Sequence, residues 1–347
     1  MKYTIEERPE LRGYTVEWAE PDNYYLSHRN RVFHSSDLVP PFTVVADIDA
    51  PLWKRVASRV RLAQRLIRFL VTNVIPLANG EIFVTFDRSV GIIRDGRYLA
   101  LKGLKRPCRI LRGACAVDQV GTVFFGEYLS NNERSEMRIY RYDPGSDSVR
   151  VAYTFAAGSI RHIHGIYFDE FSNSMFCLTG DRPSECRILQ TFDGFETVKV
   201  VGEGDETWRA VSILFAKDAL LYGTDAEYRS NQIFRIERIT GGRTSVGEVN
   251  GTVFYSKKLG DNMFFATTAE NAPAQSENVA AIWRQEETHG LEELIRFEKD
   301  RWNGTLFMFG LIHFPVANRI DNELYFSVVG VQEDDRTYSI KRTQGQD

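Results

Sequence analysis

The feature that most constrains the fold is a repeated pattern of short β-strands. Four predicted strands each end in an acidic residue, and these acids are spaced 54, 44 and 45 residues apart: Glu127, Asp181, Asp225 and Glu270. A polar loop follows each acid, and a second strand rich in aromatic and β-branched residues comes next. No comparable helical period recurs. A repeat of this length predicts a chain of four-stranded units.

Seven such units can be counted along the 347 residues: 14–47, 72–103, 107–153, 157–201, 205–248, 250–297 and 303–343. This number and length predict an all-β, seven-bladed β-propeller that forms a single domain over 1–347, although six or eight blades remain alternatives. We expect the N-terminal strand KYTIEE to pair with the C-terminal RTYSIKR. That pairing would close the ring and cover two sheet edges.

Two predicted turns carry a further pattern, the Asp box S-x-D-x-G-x-T-W. The stretch TFDGFETV matches it at Thr191, Asp193, Gly194 and Thr197, and SSDLVPPF keeps Ser35, Asp37 and Phe42. In these turns the chain resembles the sialidase-type Asp-box (BNR) β-propellers. The resemblance implies hairpins between outer strands, in which the Asp accepts backbone N–H groups and an aromatic ring packs beneath. The R-I-P arginine motif of sialidases is missing, so no catalytic set is implied.

Composition limits the class of protein. A net charge of −4 and a pI of about 6.0 give no basic field, so we expect no nucleic-acid partner. The start of the chain has no apolar signal-peptide region, and the most apolar stretch, 66–78, is interrupted by Arg68, Asn73 and Pro76. The cysteines, Cys108, Cys115, Cys177 and Cys186, form no C-x-x-C pair. These features predict a cytoplasmic protein with reduced, buried cysteines.

One segment departs from the β pattern. We predict an inserted amphipathic helix over 49–71, with Asp49 as its N-cap. Its apolar stripe comprises Trp53, Val56, Val60, Ala63, Ile67 and Leu70, and its basic residues are Lys54, Arg55, Arg59, Arg61, Arg65 and Arg68. We favour packing of the stripe against the propeller flank. The alternative is that residues 50–70 dock on an anionic membrane surface or on an acidic protein.

Propeller topology brings residues that are distant in sequence to one mouth of the central channel. The innermost strand of each blade starts at the same face at which the second strand ends. We therefore expect the four acids to meet there. The residues that open the neighbouring blades should join them: Arg112, Trp208, Arg209 and Tyr255.

A pair of histidines opens the fourth unit, in the stretch SIRHIHGIYFDE. His162 and His164 lie on the same side of a strand because side chains alternate. Three interpretations stay open. The histidines could bind a divalent metal together with Asp181, one could act as a general acid or base, or each could bond a neighbouring blade. We expect His164 to matter more, because Gly165 leaves room for a ligand.

These features together favour a carbohydrate-active protein that binds or acts on an acidic glycan by lyase or hydrolase chemistry. His164, His162 and Arg209 are the predicted catalytic residues. The predicted substrate-binding residues are Arg112, Glu127, Tyr128, Asp181, Trp208, Asp225, Tyr255 and Glu270. Aromatic rings would stack on sugars, and arginines would hold a carboxylate. The alternative is a non-catalytic glycan-binding or assembly scaffold, for example in polysaccharide biosynthesis.

Overall fold

Seven β-sheets arranged as propeller blades form the structure, a computed structural model that describes residues 2–275, 277–286 and 289–343. The predicted seven-bladed, all-β fold is confirmed. Each blade is a four-stranded antiparallel sheet, and blade 1 gains a fifth short strand. The blade limits lie within a few residues of the predicted units, apart from the start of blades 3 and 7, because each unit carries its own turn residues.

The strands of the first four blades follow chain order from the innermost outward. Blade 1 contains Thr15–Glu20, Asn23–His28, Arg31–Ser35 and Thr43–Asp47. Blade 2 contains Val71–Pro76, Ile82–Phe86, Ser89–Arg94 and Arg97–Ala100. Blade 3 contains Cys115–Val117, Val123–Gly126, Met137–Tyr142 and Val149–Phe155. Blade 4 contains His162–Asp169, Ser174–Gly180, Arg187–Thr191 and Lys199–Glu203.

The remaining blades close the ring. Blade 5 contains Ala210–Phe215, Ala219–Thr224, Asn231–Glu237 and Arg243–Val249. Blade 6 contains Val253–Leu259, Asn262–Thr267, Val279–Glu286 and His289–Glu298. Blade 7 contains Leu311–His313, Glu323–Val329, Thr337–Thr343 and, from the N-terminus, Lys2–Glu7. The predicted closure is confirmed, since Ile5 lies opposite Ile340 in an antiparallel pair. The short strand Ala317–Asn318 pairs in parallel with the innermost strand of blade 1.

The apolar core lies between neighbouring blades. Every residue of the second strand is buried in blades 4, 5 and 6, whereas the outermost strand of blade 4 has no buried residue. Phe176 and Leu178 of blade 4, for example, share one cluster with Ile213 and Tyr222 of blade 5. All four cysteines are buried and unpaired, as predicted. Apolar side chains therefore fill the blade interfaces, and polar groups gather where strands end.

Both predicted Asp-box turns lie between the third and fourth strands of their blades. In blade 4, Asp193 accepts hydrogen bonds from the Thr197 backbone N–H and from the Thr197 hydroxyl, at 2.9 and 2.6 Å. Phe195 packs beneath this turn and is 1% exposed. In blade 1, Asp37 accepts from the Val39 N–H at 2.9 Å. The turn chemistry is thus the one expected from the sequence.

The insertion between blades 1 and 2 forms two short helices, Leu52–Ala57 and Arg61–Ile67, instead of the single helix predicted over 49–71. The Ser58 hydroxyl bonds back to the Arg55 carbonyl at 2.9 Å, and Val60 is extended, so the helix stops between them. The N-cap position holds Pro51, not Asp49. The other helices are the α-helical turn Gly304–Phe307 and the 3-10 turns Pro9–Leu11, Pro183–Glu185 and Glu206–Trp208.

The two helices of the insertion differ in burial. Arg65 of the second helix is buried and pairs with Asp300 at 2.6 Å, and Arg61 pairs with Asp334 at 2.9 Å. The first helix has no buried residue. The favoured packing on the flank therefore holds only for the second helix. Within the part of the chain that the structure describes, no helix is both long enough and apolar enough to cross a membrane.

Candidate functional site

The two histidines lie at the start of the innermost strand of blade 4, where the strand carries a β-bulge. Ile163 is opposite Thr179 and Gly165 is opposite Leu178, so His164 is the extra residue of the bulge. The two imidazole rings are 5.1 Å apart between centroids. The bulge holds both rings at the mouth of the channel and buries them against the next blade.

His164 is fixed by a hydrogen bond across the blade interface. Its Nδ1 lies 2.7 Å from the carbonyl oxygen of Ala210, so Nδ1–H donates and Nε2 keeps a free lone pair. Burial, followed by the neighbouring His162 and Arg209, lowers the pKa of His164 to about 3. The ring is therefore neutral near neutral pH. This tautomer suits a metal ligand and does not suit a general acid.

His162 is also buried, but its hydrogen bonding is incomplete. Its Nε2 lies 3.4 Å from Oδ1 of Asp181, and its ring packs 4.3 Å from the ring of Tyr128. Its Nδ1 is buried and has no hydrogen-bond partner among the described residues. An unpaired buried nitrogen is costly unless another group satisfies it.

Asp181 and Arg209 connect the histidines to blade 5. Arg209 donates through Nε to Asp225 at 2.9 Å and lies 3.4 Å from Asp181, while Arg161 bonds the other oxygen of Asp181 at 2.7 Å. Burial alone would raise the pKa of Asp181, but the hydrogen bond from His162 and the nearby cations hold it well below its usual range. A Cβ on Gly180 would lie 2.8 Å from both the Arg209 and His164 side chains. Glycine at 180 therefore permits their close approach.

Two further carboxyl groups at this mouth are poorly compensated when they ionise. Burial raises the pKa of Asp225 to about 6, because Arg209 offsets only part of the lost hydration. Burial and the adjacent Asp225 raise the pKa of Glu270 to about 8. One Glu270 oxygen is buried without a partner in the described chain. The cluster would thus be stabilised by an added cation, whether a proton or a metal ion.

The four predicted acids do follow the second strands of consecutive blades, but only three converge. Asp181, Asp225 and Glu270 all raise the pKa of Tyr128, after burial itself, and therefore surround one ring. Glu127 is fully buried inside blade 3, where it accepts from Arg106 at 2.8 Å and from the Tyr140 hydroxyl at 2.9 Å. The prediction that Glu127 binds substrate is wrong, because its oxygens are already occupied.

Arg112 and Trp208 are also misassigned by the sequence. Arg112 is buried in an ion pair with Glu17 and donates to the Val71 carbonyl at 2.8 Å. Trp208 lies 6.1 Å from Tyr222 in a stacked arrangement, and the Arg243 guanidinium lies 3.8 Å from its ring centroid. The indole is therefore engaged by residues of blade 5, and no contact in the structure supports its predicted stacking on a sugar.

Tyr255 and Gly165 also differ from expectation. Tyr255 packs 5.2 Å from His313 and lines a separate part of the channel, together with Arg112. A Cβ on Gly165 would meet the ring of Tyr167 at 2.6 Å. The space beside Gly165 is therefore filled by Tyr167 and offers no room to a ligand.

An open cavity of about 610 Å³ lies beside the histidine cluster. Its lining includes Arg161, Asp181, Arg182, Arg209, Glu227 and Tyr228. Arg182 is exposed and has no side-chain partner among the residues described, and Tyr228 is 71% exposed. The sequence reasoning missed Arg161, Arg182, Glu227 and Tyr228 as site residues. A sequence clue could have found them, because each lies within three residues of a predicted site residue.

Three of the clustered side chains meet a geometric condition for cation binding. One donor atom from each of His162, His164 and Asp181 lies within 4.8 Å of the other two. Ligands held about 2.1 Å from one ion lie roughly 3 to 4.3 Å from each other, so small side-chain adjustments suffice. The free Nε2 of His164 and the Nε2 of His162, which lies 3.4 Å from Asp181, suit such a role. Two imidazoles and one carboxylate fit Zn²⁺, and the carboxylate also suits a harder divalent cation such as Mn²⁺.

Comparison with known proteins gives the fold and no family. No family model matches the chain, and no curated protein sequence matches it. A manganese complex of an oligogalacturonate lyase is 9% identical with a TM-score of 0.62, over 99% of this chain and 91% of the other. An extracellular domain of a putative one-component system from B. thetaiotaomicron is 12% identical with a TM-score of 0.60, over 99% of this chain and 40% of the other. A chain of the mitotic checkpoint complex is 11% identical with a TM-score of 0.57, over 99% and 94%. Identities this low establish the propeller alone.

Proposed function

We propose that this protein is a cation-dependent, carbohydrate-active propeller that acts on a uronate-containing glycan at the mouth formed by blades 4 and 5. The observation that carries the proposal is the grouping of His162, His164 and Asp181 beside a cavity lined by arginines. The oligogalacturonate lyase among the similar structures was solved with manganese, which adds support at the level of analogy.

The cavity suits an acidic sugar. Arg182 and Arg161 offer guanidinium groups that can bind a carboxylate, and the Nε of Arg161 is buried without a partner in the described structure. Tyr228 offers an exposed ring for a sugar face, the role that Trp208 was predicted to play. The cavity volume of about 610 Å³ is sufficient for a short oligosaccharide.

The proposed chemistry is elimination next to the uronate carboxylate. A divalent cation at the histidines would withdraw charge from that carboxylate and make the neighbouring ring C–H more acidic. In the elimination a base takes this proton and a C=C bond forms. The C–O bond to the next sugar breaks with its electron pair on the departing oxygen, and that oxygen takes up a proton. Burial raises the pKa values of Asp225 and Glu270, so these two groups, which lie behind the cavity lining, are suited to hold the protons that the step moves. Arg209 orients Asp225 through its 2.9 Å hydrogen bond.

The test is turnover of oligogalacturonate and of other uronate oligosaccharides in the presence of Mn²⁺, followed by the ultraviolet absorbance of the unsaturated product. We expect turnover by the wild type, and we expect His162→Ala and His164→Ala to lose it while staying folded. His34→Ala is a matched control, because His34 lies in blade 1 and bonds Asn23. Binding without turnover would favour the glycan-binding scaffold. The absence of both binding and turnover across the panel would contradict the proposal.

A further inference from the structure

The first helix of the insertion presents bulky apolar side chains to solvent. Leu52, Trp53, Val56 and Val60 are 74%, 60%, 52% and 63% exposed. They were predicted to belong to a buried stripe or, as the alternative, to a docking element. Three exposed apolar side chains on a helix that buries no residue of its own, with a fourth, Val60, in the turn that follows it, are unusual on a protein that is covered only by water.

A small basic cavity lies beside these side chains. Its volume is about 180 Å³, and it is lined by His28, Arg29, Asn30, Arg31, Arg55 and Arg59. Arg31 pairs with Asp47 at 2.6 Å. Arg29, Arg55 and Arg59 have neither an ion pair nor a side-chain hydrogen bond within the described ranges. Three unpaired guanidinium groups around one cavity favour an anionic ligand, and phosphate is an anion that arginine binds well.

The second half of the insertion shows what arginines do when they are structural. Arg61 and Arg65 are held by Asp334 and Asp300 on the connections around blade 7. The two arginines of the second helix thus each have an acidic partner. Among the described residues, no acid pairs with Arg55, in the first helix, or with Arg59, in the turn that follows it. This difference within one segment indicates that the ligand of the first half comes from outside the chain.

We propose that the docking surface, comprising Leu52, Trp53, Val56 and Val60 with Arg29, Arg55 and Arg59, binds an anionic lipid membrane. The apolar side chains would enter the interfacial layer, and the arginines would hold lipid phosphates. The side chains project from a short helix and form no groove for a peptide. A second copy of this surface would bring like charges together. A lipid surface fits both the projecting apolar groups and the arginine cavity.

The position of this docking surface determines which face of the propeller would point towards the membrane. The insertion leaves the outermost strand of blade 1 and enters the innermost strand of blade 2, at the face where innermost strands begin. His162 and Asp181 lie at that same face. A docked molecule would therefore turn its histidine cluster and 610 Å³ cavity towards the membrane. The docking itself does not depend on the glycan chemistry proposed above.

The experiment is co-sedimentation of the full chain with vesicles of phosphatidylcholine alone and with vesicles containing about one third phosphatidylserine. We expect binding to the second vesicle only. The triple variant Arg29→Gln, Arg55→Gln and Arg59→Gln should bind about 100-fold more weakly, since each basic residue near an anionic surface contributes about fivefold. Trp53→Ser should weaken binding roughly tenfold with little change in thermal stability, because its ring is largely exposed.

A matched control removes three positive charges from the opposite face: Arg97→Gln, Arg150→Gln and Lys199→Gln. These exposed residues lie near the start of outermost strands. The control should bind the anionic vesicles about as well as the wild type. Equal losses in both triple variants would reduce the effect to net charge and overturn the assignment. Binding of poly-L-glutamate without binding of either vesicle would identify an acidic protein as the partner instead, and association of the free chain into dimers through Trp53 would identify a second copy.

Discussion

Two arginines at the starts of blades, the buried Arg112 and the partly buried Arg209, were both expected to hold a sugar carboxylate, but their surroundings differ. Arg112 faces a single carboxylate, Glu17, which also accepts from the Ser27 hydroxyl at 2.5 Å. Arg209 stands between Asp181 and Asp225, with Glu270 beyond them. The first cluster is a balanced ion pair between blades. The second contains three carboxyl groups, and burial raises the pKa values of two of them, Asp225 and Glu270, because their negative charge is only partly compensated.

The difference shows that position at a blade start does not make a residue functional. The Arg209 cluster retains an unpaired His162 nitrogen and an unpaired Glu270 oxygen within the described structure, beside an open cavity. At the Arg112 pair, both carboxylate oxygens of Glu17 and both terminal nitrogens of Arg112 are engaged, and the Nε of Arg112 is buried without a partner in the described structure. Uncompensated charge next to open space is what separates a candidate site from a structural pair.

The largest effect is expected from a substitution that breaks the Glu17–Arg112 ion pair. Glu17→Ala should lower the free energy of unfolding by about 3 to 5 kcal/mol, because it leaves the Arg112 charge buried without its carboxylate. Urea denaturation measures this loss. The double variant Glu17→Met with Arg112→Met is the control and should recover most of it. A small stability loss together with impaired glycan or cation binding would place Arg112 in the functional site and contradict the comparison.

A smaller effect concerns the unbalanced cluster and its pH dependence. The folded-state pKa of Glu270, about 8, lies above its ordinary value of 4.5. The stability that this group contributes is fully present below pH 4.5 and is lost as the pH rises through 8. Glu270→Gln should therefore be more stable than the wild type at about pH 9, by on the order of 2 kcal/mol, and lose that advantage in acid.

Chemical denaturation at several pH values tests this prediction. Glu248→Gln, which changes an exposed acid on the outermost strand of blade 5, is the matched control and should leave the pH profile unchanged. An unchanged profile for Glu270→Gln would mean that Glu270 is already compensated in the folded protein. The charge imbalance proposed for this mouth would then be wrong.

The sequence predicted well whatever depends on local patterns. Strand alternation and turn residues determine the blades, the closure by Lys2–Glu7 and the Asp193 turn, and topology then places strand ends at one face. It did not predict side-chain partners from other segments. Glu127 and Asp181 occupy equivalent positions, but Arg106 and Tyr140 engage only Glu127.

The insertion shows the same limit in another form. The spacing of the apolar residues predicts one continuous buried stripe. In the structure, one part of that stripe is buried and the other part is exposed to solvent. Ile67 contributes to the core between blades 1 and 2, whereas Trp53 remains in solvent. The cause is tertiary, because Asp300 and Asp334 anchor the second helix and no described acid anchors Arg55 or Arg59. Acids more than 200 residues away cannot be assigned to this segment from periodicity.

The most direct test of the site is calorimetric titration of the wild-type protein with Mn²⁺. The account predicts one bound ion per chain, with proton release near neutral pH as Asp225 and Glu270 ionise. His162→Ala and His164→Ala should each weaken this binding by about 100-fold or more, and His34→Ala should not change it. Absence of Mn²⁺ binding by the wild type, or equal binding by the His162→Ala and His34→Ala variants, would contradict the assignment of His162, His164 and Asp181 as a cation site.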